Sequence, residues 1–223
     1  MSHAAWGRPG VELETIAAQL HADFEMRNQA REQALQRSRL LTRYAAQTIQ
    51  ALHRGDYERA KTLLEQARAL VQESQQDLAS RFPDLYYAGY TQDALKEFVE
   101  ASVVYRLLTE GTYPTPEELG VPASTYVRGL AEAVGELRRR CLDLLRHDYS
   151  PQVETLLEHM DAIYGVLVTM DYPDAITGGL RRWTDQVRGQ IERTRGELTL
   201  SRRLYALQQV LEGRERDARD GKA

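Results

Sequence analysis

Cysteine is almost missing from this sequence: Cys141 stands alone, so no intrachain disulfide framework exists and no CxxC pair is available for zinc or redox chemistry. That usage suits a reducing compartment, and the expected location is the cytoplasm. No stretch of about 18 apolar residues occurs, and the opening segment from Met1 to Pro9 lacks a basic region followed by an apolar run. Neither export nor a membrane span is therefore expected. Glycine and proline are few, 15 and 7 in 223 residues, and they gather at a handful of breaks between long periodic stretches. Lysine is scarce as well: only Lys61, Lys96 and Lys222 are present, and the other 26 of the 29 basic residues are arginine. Arginine suits two-pronged phosphate contacts, but a GC-rich genome gives the same bias, so the count alone does not separate the two causes. The net charge of −4 argues against adhesion to nucleic acid over the whole surface and leaves a local basic face open.

What is present is helical periodicity. From Val11 to His53, apolar residues including Ile16, Leu20, Phe24, Leu41, Ala45 and Leu52 recur at spacings of three and four, which predicts one very long helix or two with a bend near Asn28. Gly55 supplies a stop and Asp56 an N-cap for a second helix, which runs to Ala79, ahead of Phe82-Pro83. A third helix from Thr91 to Gly111 is apolar on nearly every side between Ala94 and Leu108, so it is expected to lie deepest. Residues 111–122 form the longest connector. Further helices are predicted over 124–146, from Ser150-Pro151 to Met170, and from Leu180 to Leu211. Strand-like alternation and a repeat period are both absent. The expected fold class is all-α, a single-domain bundle of six to seven long helices over residues 1–223, with 1–10 and 213–223 as flexible ends. Helices this long bury part of their apolar surface against other subunits, so an oligomer is expected.

The most informative local feature is Lys96-Glu97-Phe98-Val99-Glu100 inside that apolar third helix. Glutamates three apart share a helix face. Two buried carboxylates pay a large desolvation cost unless a positive partner meets them, and the candidates are arginines from neighbouring helices or a metal ion. A second acidic pair, Glu132 and Glu136, is one turn apart on the next helix. Its apolar stripe is Leu130, Ala133, Val134, Leu137, Cys141, Leu144 and Leu145, so both glutamates flank the stripe and read equally as a solvated face. Gly129 and Gly135 cost helix stability, and close approach of another backbone or a ligand would account for them. No Glu-x-x-His pair of the di-iron bundle type occurs, and an all-oxygen ligand set points to a hard cation, Mg²⁺ or Mn²⁺.

Several stretches together resemble the translin/Trax family. They are the helix ending Ala51-Leu52-His53-Arg54-Gly55, Phe82-Pro83 before a tyrosine-rich turn, Gly129-Leu130-Ala131 leading to Gly135-Glu136-Leu137-Arg138, Tyr172-Pro173, Leu180-Arg181-Arg182, and Thr194 to Thr199. The resemblance spans about residues 27–212. Glu97-Phe98-Val99-Glu100-Ala101 is similar to the Trax branch, whose acidic positions fall on Glu97, Glu100, Glu132 and Glu136, with glutamate at 132 where Trax carries aspartate. The resemblance implies a metal-dependent endoribonuclease acting on single-stranded RNA inside a closed, roughly octameric homo-oligomeric shell. It casts Glu97, Glu100 and Glu136 as metal ligands and Glu132 as a ligand or general base. The alternative it leaves is a non-catalytic, translin-type binder of single-stranded RNA or DNA. Candidate phosphate contacts are Arg27, Arg31, Arg39, Arg43, Arg139, Arg181 and Arg182, and Tyr86, Tyr87 and Tyr90 are either base-stacking or core residues.

Overall fold

The structure, a computed structural model, describes residues 9–146 and 149–220. Among the described residues there is no strand. The elements in order are α1 (Pro9–His53), α2 (Tyr57–Ser74) continued by a π-helical turn (Gln75–Ala79), α3 (Pro83–Tyr86), α4 (Gly89–Glu110), α5 (Pro116–Leu119), α6 (Ala123–Leu145), α7 (Gln152–Leu167), α8 (Asp174–Thr177) and α9 (Leu180–Asp220). No helix among these residues is long and apolar enough to cross a membrane.

Helix α1 is one continuous helix of 45 residues, without a break at Asn28. It has two halves of different character. From Ala34 onward, Ala34, Leu41, Ala45, Thr48 and Leu52 are buried, whereas Leu13, Ile16, Leu20 and Phe24 in the first half are exposed. The turn into α2 follows the sequence: Gly55 takes φ +75°, which a side chain disfavours, and the Asp56 carboxylate accepts from the Arg59 amide at 3.1 Å. Helix α2 was expected to run to Ala79 in one geometry. Instead its last five residues widen into the π turn, where Leu78 is buried and Asp77 pairs with Arg37.

Helix α4 is the centre of the bundle. It packs on α1, α2 and α6, and twelve of its residues are buried, including Leu95, Phe98, Val99 and Val103 at 1% exposure or less. Burying each such side chain contributes roughly 1.5–3 kcal/mol. Helix α6 is sandwiched between α4, α7 and α9, which explains why Leu130, Ala133, Val134, Leu137 and Cys141 all face inward. The guanidinium of Arg138 ties α6 to α9, donating to both carboxylate oxygens of Glu197 at 2.7 and 2.9 Å and to the Thr194 hydroxyl at 2.8 Å.

Helix α9 continues to Asp220, so residues 213–220, expected to be flexible, extend the helix instead. Residues 1–8 and 221–223 of the two expected flexible ends lie outside the described residues. Beyond Leu198 the helix still meets the start of α7, with Arg202 3.9 Å from Glu154 and Tyr205 stacked on Tyr149 at 5.5 Å, while Leu200, Leu204, Leu207, Val210 and Leu211 are each more than half exposed. Among the described residues, these and the first half of α1 are long helical stretches whose apolar side chains stay exposed within one subunit.

Candidate metal centre

The site begins with a missing side chain. A Cβ placed on Gly129 would lie 2.6 Å from the Cβ of Val99 and 2.8 Å from the carbonyl oxygen of Lys96. Only glycine lets α6 lie this close to α4. The contact sets Glu132, nearly one turn further along α6, opposite the Glu97-Glu100 face of α4. One oxygen from each of Glu97, Glu100 and Glu132 then falls within 4.8 Å of the others. Gly135 has no comparable role, since its nearest foreign atom would be 3.7 Å away on Gln190.

Two cationic or polar partners complete the arrangement. The ammonium of Lys96, at 9% residue exposure, lies 2.5 Å from Glu132 Oε2 and 3.1 Å from Glu97 Oε1. It therefore supplies from α4 itself the positive partner that sequence reasoning sought in arginines or a metal. Arg106, the other nearby cation of the sequence, is held instead by Glu110 and Glu118. Glu136 stands outside the triad. Its Oε2 accepts from His53 Nε2 at 2.6 Å, and His53 Nδ1 is 3.4 Å from Asp143. Glu136 is nonetheless close enough that its charge, with those of Glu97 and Glu132, helps hold the carboxyl of Glu100 far above its usual range. Burial is the largest cause, and together they push it up to about 8 against the opposing effect of Lys96.

The cluster opens on a cavity of about 180 Å³ lined by Glu100, Ala131, Glu132, Trp183, Gln186, Val187 and Gln190. Trp183 and Gln186 also line a larger cleft of about 810 Å³ with Arg128, Arg181 and Arg182. Asp174 and Asp185 line the same cleft, so it is of mixed charge, and it shares a wall with the acidic pocket. A donor set made only of carboxylate oxygens, with the pKa of one acid raised by burial and then by its neighbours' charge, fits a hard divalent cation.

Known proteins can now be compared with this geometry. No family model matches the chain. An uncharacterized protein of Methanocaldococcus jannaschii is 30% identical over 174 residues, 77% of this chain and 76% of the relative. The crystal structure of C3PO, the translin/Trax complex, from Archaeoglobus superposes with a TM-score of 0.76 at 30% identity, covering 83% of this chain and 96% of that one. A structure of the same Archaeoglobus protein with duplex RNA gives 0.77 at 29% identity and the same coverage. Apo C3PO from Nematostella gives 0.76 at 21% identity over 87% of this chain, a likeness of fold alone. The chain belongs to the translin/Trax family.

Against this family frame the predicted residues divide. Glu97, Glu100 and Glu132 come together, and Glu136 sits beside them on His53. The arginines do not form one face. Arg27 is paired with Asp84 at 2.6 Å, Arg31 with Glu32 at 3.1 Å, and Arg39, Arg43 and Arg139 are exposed on α1 and α6. Only Arg181 and Arg182 lie in the cleft beside the carboxylates, the former also 3.3 Å from Asp171. Tyr86 is buried in the core, Tyr87 is 62% exposed and Tyr90 is half-buried. Sequence reasoning did not assign His53, Asp143, Arg128, Trp183, Gln186 or Gln190 to the site. His53 is 83 residues from Glu136 and carries no local signal. Trp183, Gln186 and Gln190 recur at helical spacing beside the buried Val187, a stripe that was legible on α9.

Proposed function

We propose that this protein is an endoribonuclease dependent on Mg²⁺ or Mn²⁺, built on an RNA-binding translin-family scaffold. The observation that carries the reading is the grouping of Glu97, Glu100 and Glu132 within 4.8 Å, on two helices that Gly129 brings into contact. These three residues would hold the ion. When bound, such an ion neutralises charge on the phosphorus oxygens and lowers the pKa of water. Glu136, with Oε2 engaged by His53, is assigned to accept a proton from the attacking water at its other oxygen. Arg128 and Arg182 lie in the adjoining cleft to receive the flanking phosphates, and Trp183 offers a ring on which a base can stack. The complex of Archaeoglobus C3PO with duplex RNA, at 29% identity, supports RNA as the ligand. Single-stranded RNA is the proposed substrate. Assembly into a closed homo-oligomer, an octamer in this reading, would cover the exposed stripes of α1 and α9. The cytoplasm, where its buried lone thiol would stay reduced, is the proposed location.

A translin-type binder that does not cut is the second reading. The ion pairs of Lys96 favour it, because they satisfy Glu97 and Glu132 with no metal at all. Labelled single-stranded RNA, duplex RNA and single-stranded DNA, each incubated with Mg²⁺, Mn²⁺ or EDTA, separate the readings. Metal-dependent cleavage of RNA that disappears in Glu100→Ala supports the nuclease. Retarded but intact RNA under every condition leaves the binder.

A further inference from the structure

The carboxylate cluster contains a cation of its own, and that cation occupies the oxygens a metal would need. Lys96 is one of only three lysines among the 29 basic residues of the chain. Its Nζ contacts Glu132 Oε2 at 2.5 Å and Glu97 Oε1 at 3.1 Å, so two of the three carboxylates of the cluster are engaged by it. Burial disfavours a charged amine here, while the hydrogen bonds and charges of Glu132 and Glu97 hold its pKa above the ordinary lysine value. The amine is therefore charged at neutral pH while it holds these contacts.

We propose that Lys96 is an exchangeable counter-ion: its ammonium must leave Glu97 and Glu132 for a divalent cation to bind, so Lys96 sets the metal affinity of the site and restricts it to ions of charge two or more. This inference rests on the metal-site reading above. Ligand oxygens approach Mg²⁺ at about 2.0–2.1 Å, so an ion drawing on all three carboxylates sits against two carboxylates that Nζ now contacts, and the two cations repel. A monovalent ion has no Coulombic advantage over the ammonium it would replace and cannot donate its hydrogen bonds. A dication does have that advantage. The residue type fits the role. An arginine fork would lock on to a carboxylate through two bonds, whereas lysine is a compact charge on a flexible four-carbon stem. It also has somewhere to go, since the ring of Trp183 lies 5.9 Å from Nζ at the wall of the adjoining cleft. The exchange is a movement of the side chain, in which the ammonium gives up its contacts with Glu97 and Glu132 and turns towards the cleft.

Isothermal titration of chelator-stripped, full-length protein with Mn²⁺ tests this, using wild type, Lys96→Met, Lys96→Gln and Glu100→Gln, with the Mn²⁺-induced shift in Tm as a second readout. Removing the competitor should tighten Mn²⁺ binding about tenfold or more in both Lys96 variants and enlarge their Mn²⁺-induced rise in Tm. Glu100→Gln should abolish binding. Lys96→Gln keeps the length and a hydrogen-bond donor, so it carries the test if Lys96→Met does not fold. Unchanged or weaker Mn²⁺ binding in the Lys96 variants, with wild type binding and Glu100→Gln not binding, overturns the exchange and makes Lys96 a strut that holds the ligands in place. If neither wild type nor the Lys96 variants take up Mn²⁺, the metal site itself fails, and the exchange with it.

Discussion

Gly129 and Val99 are in contact across α4 and α6 so closely that a single added methyl group would sit 2.6 Å from the Val99 Cβ. The two helices would have to separate, and separation pulls Glu132 away from Glu97 and Glu100. Gly129→Ala should therefore cost about 1–3 kcal/mol of stability through overpacking and weaken Mn²⁺ binding as well. Gly135→Ala is the contrast, because its new methyl meets nothing nearer than 3.7 Å. It should be neutral or stabilising by up to about 1 kcal/mol through helix propensity. Urea denaturation of both variants checks the pair, and equal destabilisation would remove the special role of the 129 contact.

Glu100 gives the protein an unusual pH dependence. Its carboxyl, pushed up to about 8 by burial and then by Glu97, Glu132 and Glu136, stays protonated in the fold at pH values where the unfolded chain, near 4.5, has released the proton. The native state then binds more protons than the unfolded state between those limits, and stability falls as pH rises from about 4.5 towards 8. Metal-free wild type should lose stability over that range, and Glu100→Gln should lose less, with an advantage on the order of 1–2 kcal/mol above pH 8. Thermal melts in EDTA at pH 5.5, 7 and 8.5 measure it. Parallel curves for the two proteins would contradict the account. Mn²⁺ affinity of the wild type should rise over the same range, because the ion needs the ionised carboxylate.

His53 acts on Glu136 from a different helix. The 2.6 Å contact to Nε2 fixes the Glu136 carboxylate, and the imidazole is only 11% exposed. In His53→Ala the carboxylate loses its partner, and RNA cleavage should fall about 10- to 100-fold with Mn²⁺ binding little changed, since Glu136 lies outside the triad. His53→Gln, with a donor of similar reach, should recover part of the rate. Loss of metal binding together with activity would show that His53 supports the fold rather than the position of Glu136.

The exposed stripe on α9 predicts how subunits associate. Leu204 and Leu207 are 58% and 55% exposed on the outward face of α9. The double substitution Leu204→Glu/Leu207→Glu should leave the monomer folded and shift the particle to a smaller mass in light scattering coupled to gel filtration. An unchanged mass would exclude this face from the assembly.

Much of the fold was readable because it depends on local periodicity and on helix ends. The burial of α4 follows from a sequence that is apolar on nearly every side, and Gly55-Asp56 announced the α1–α2 turn by residue type alone. The π turn after Ser74 was not readable, since nothing in Gln75–Ala79 distinguishes one helical hydrogen-bond pattern from another. At the site, Glu97 and Glu100 were legible by spacing, whereas whether Glu132 or Glu136 would join them depended on how α6 is rotated against α4. Gly129 fixes that rotation, and its cost in helix stability was the only trace it left in the sequence. His53 reaches Glu136 through tertiary packing over 83 residues of sequence, which no window on the chain reveals.

The lone thiol has a practical consequence. Cys141 is fully buried against α7, and burial pushes it up to about 12, so it presents neither an accessible surface nor a thiolate at neutral pH. The natural protein thus behaves towards maleimides and nitroxide reagents as though it had no cysteine. A single cysteine introduced on the outer turns of α1 or α9 can carry a fluorophore or spin label by itself, and subunit distances can be measured without first mutating the core.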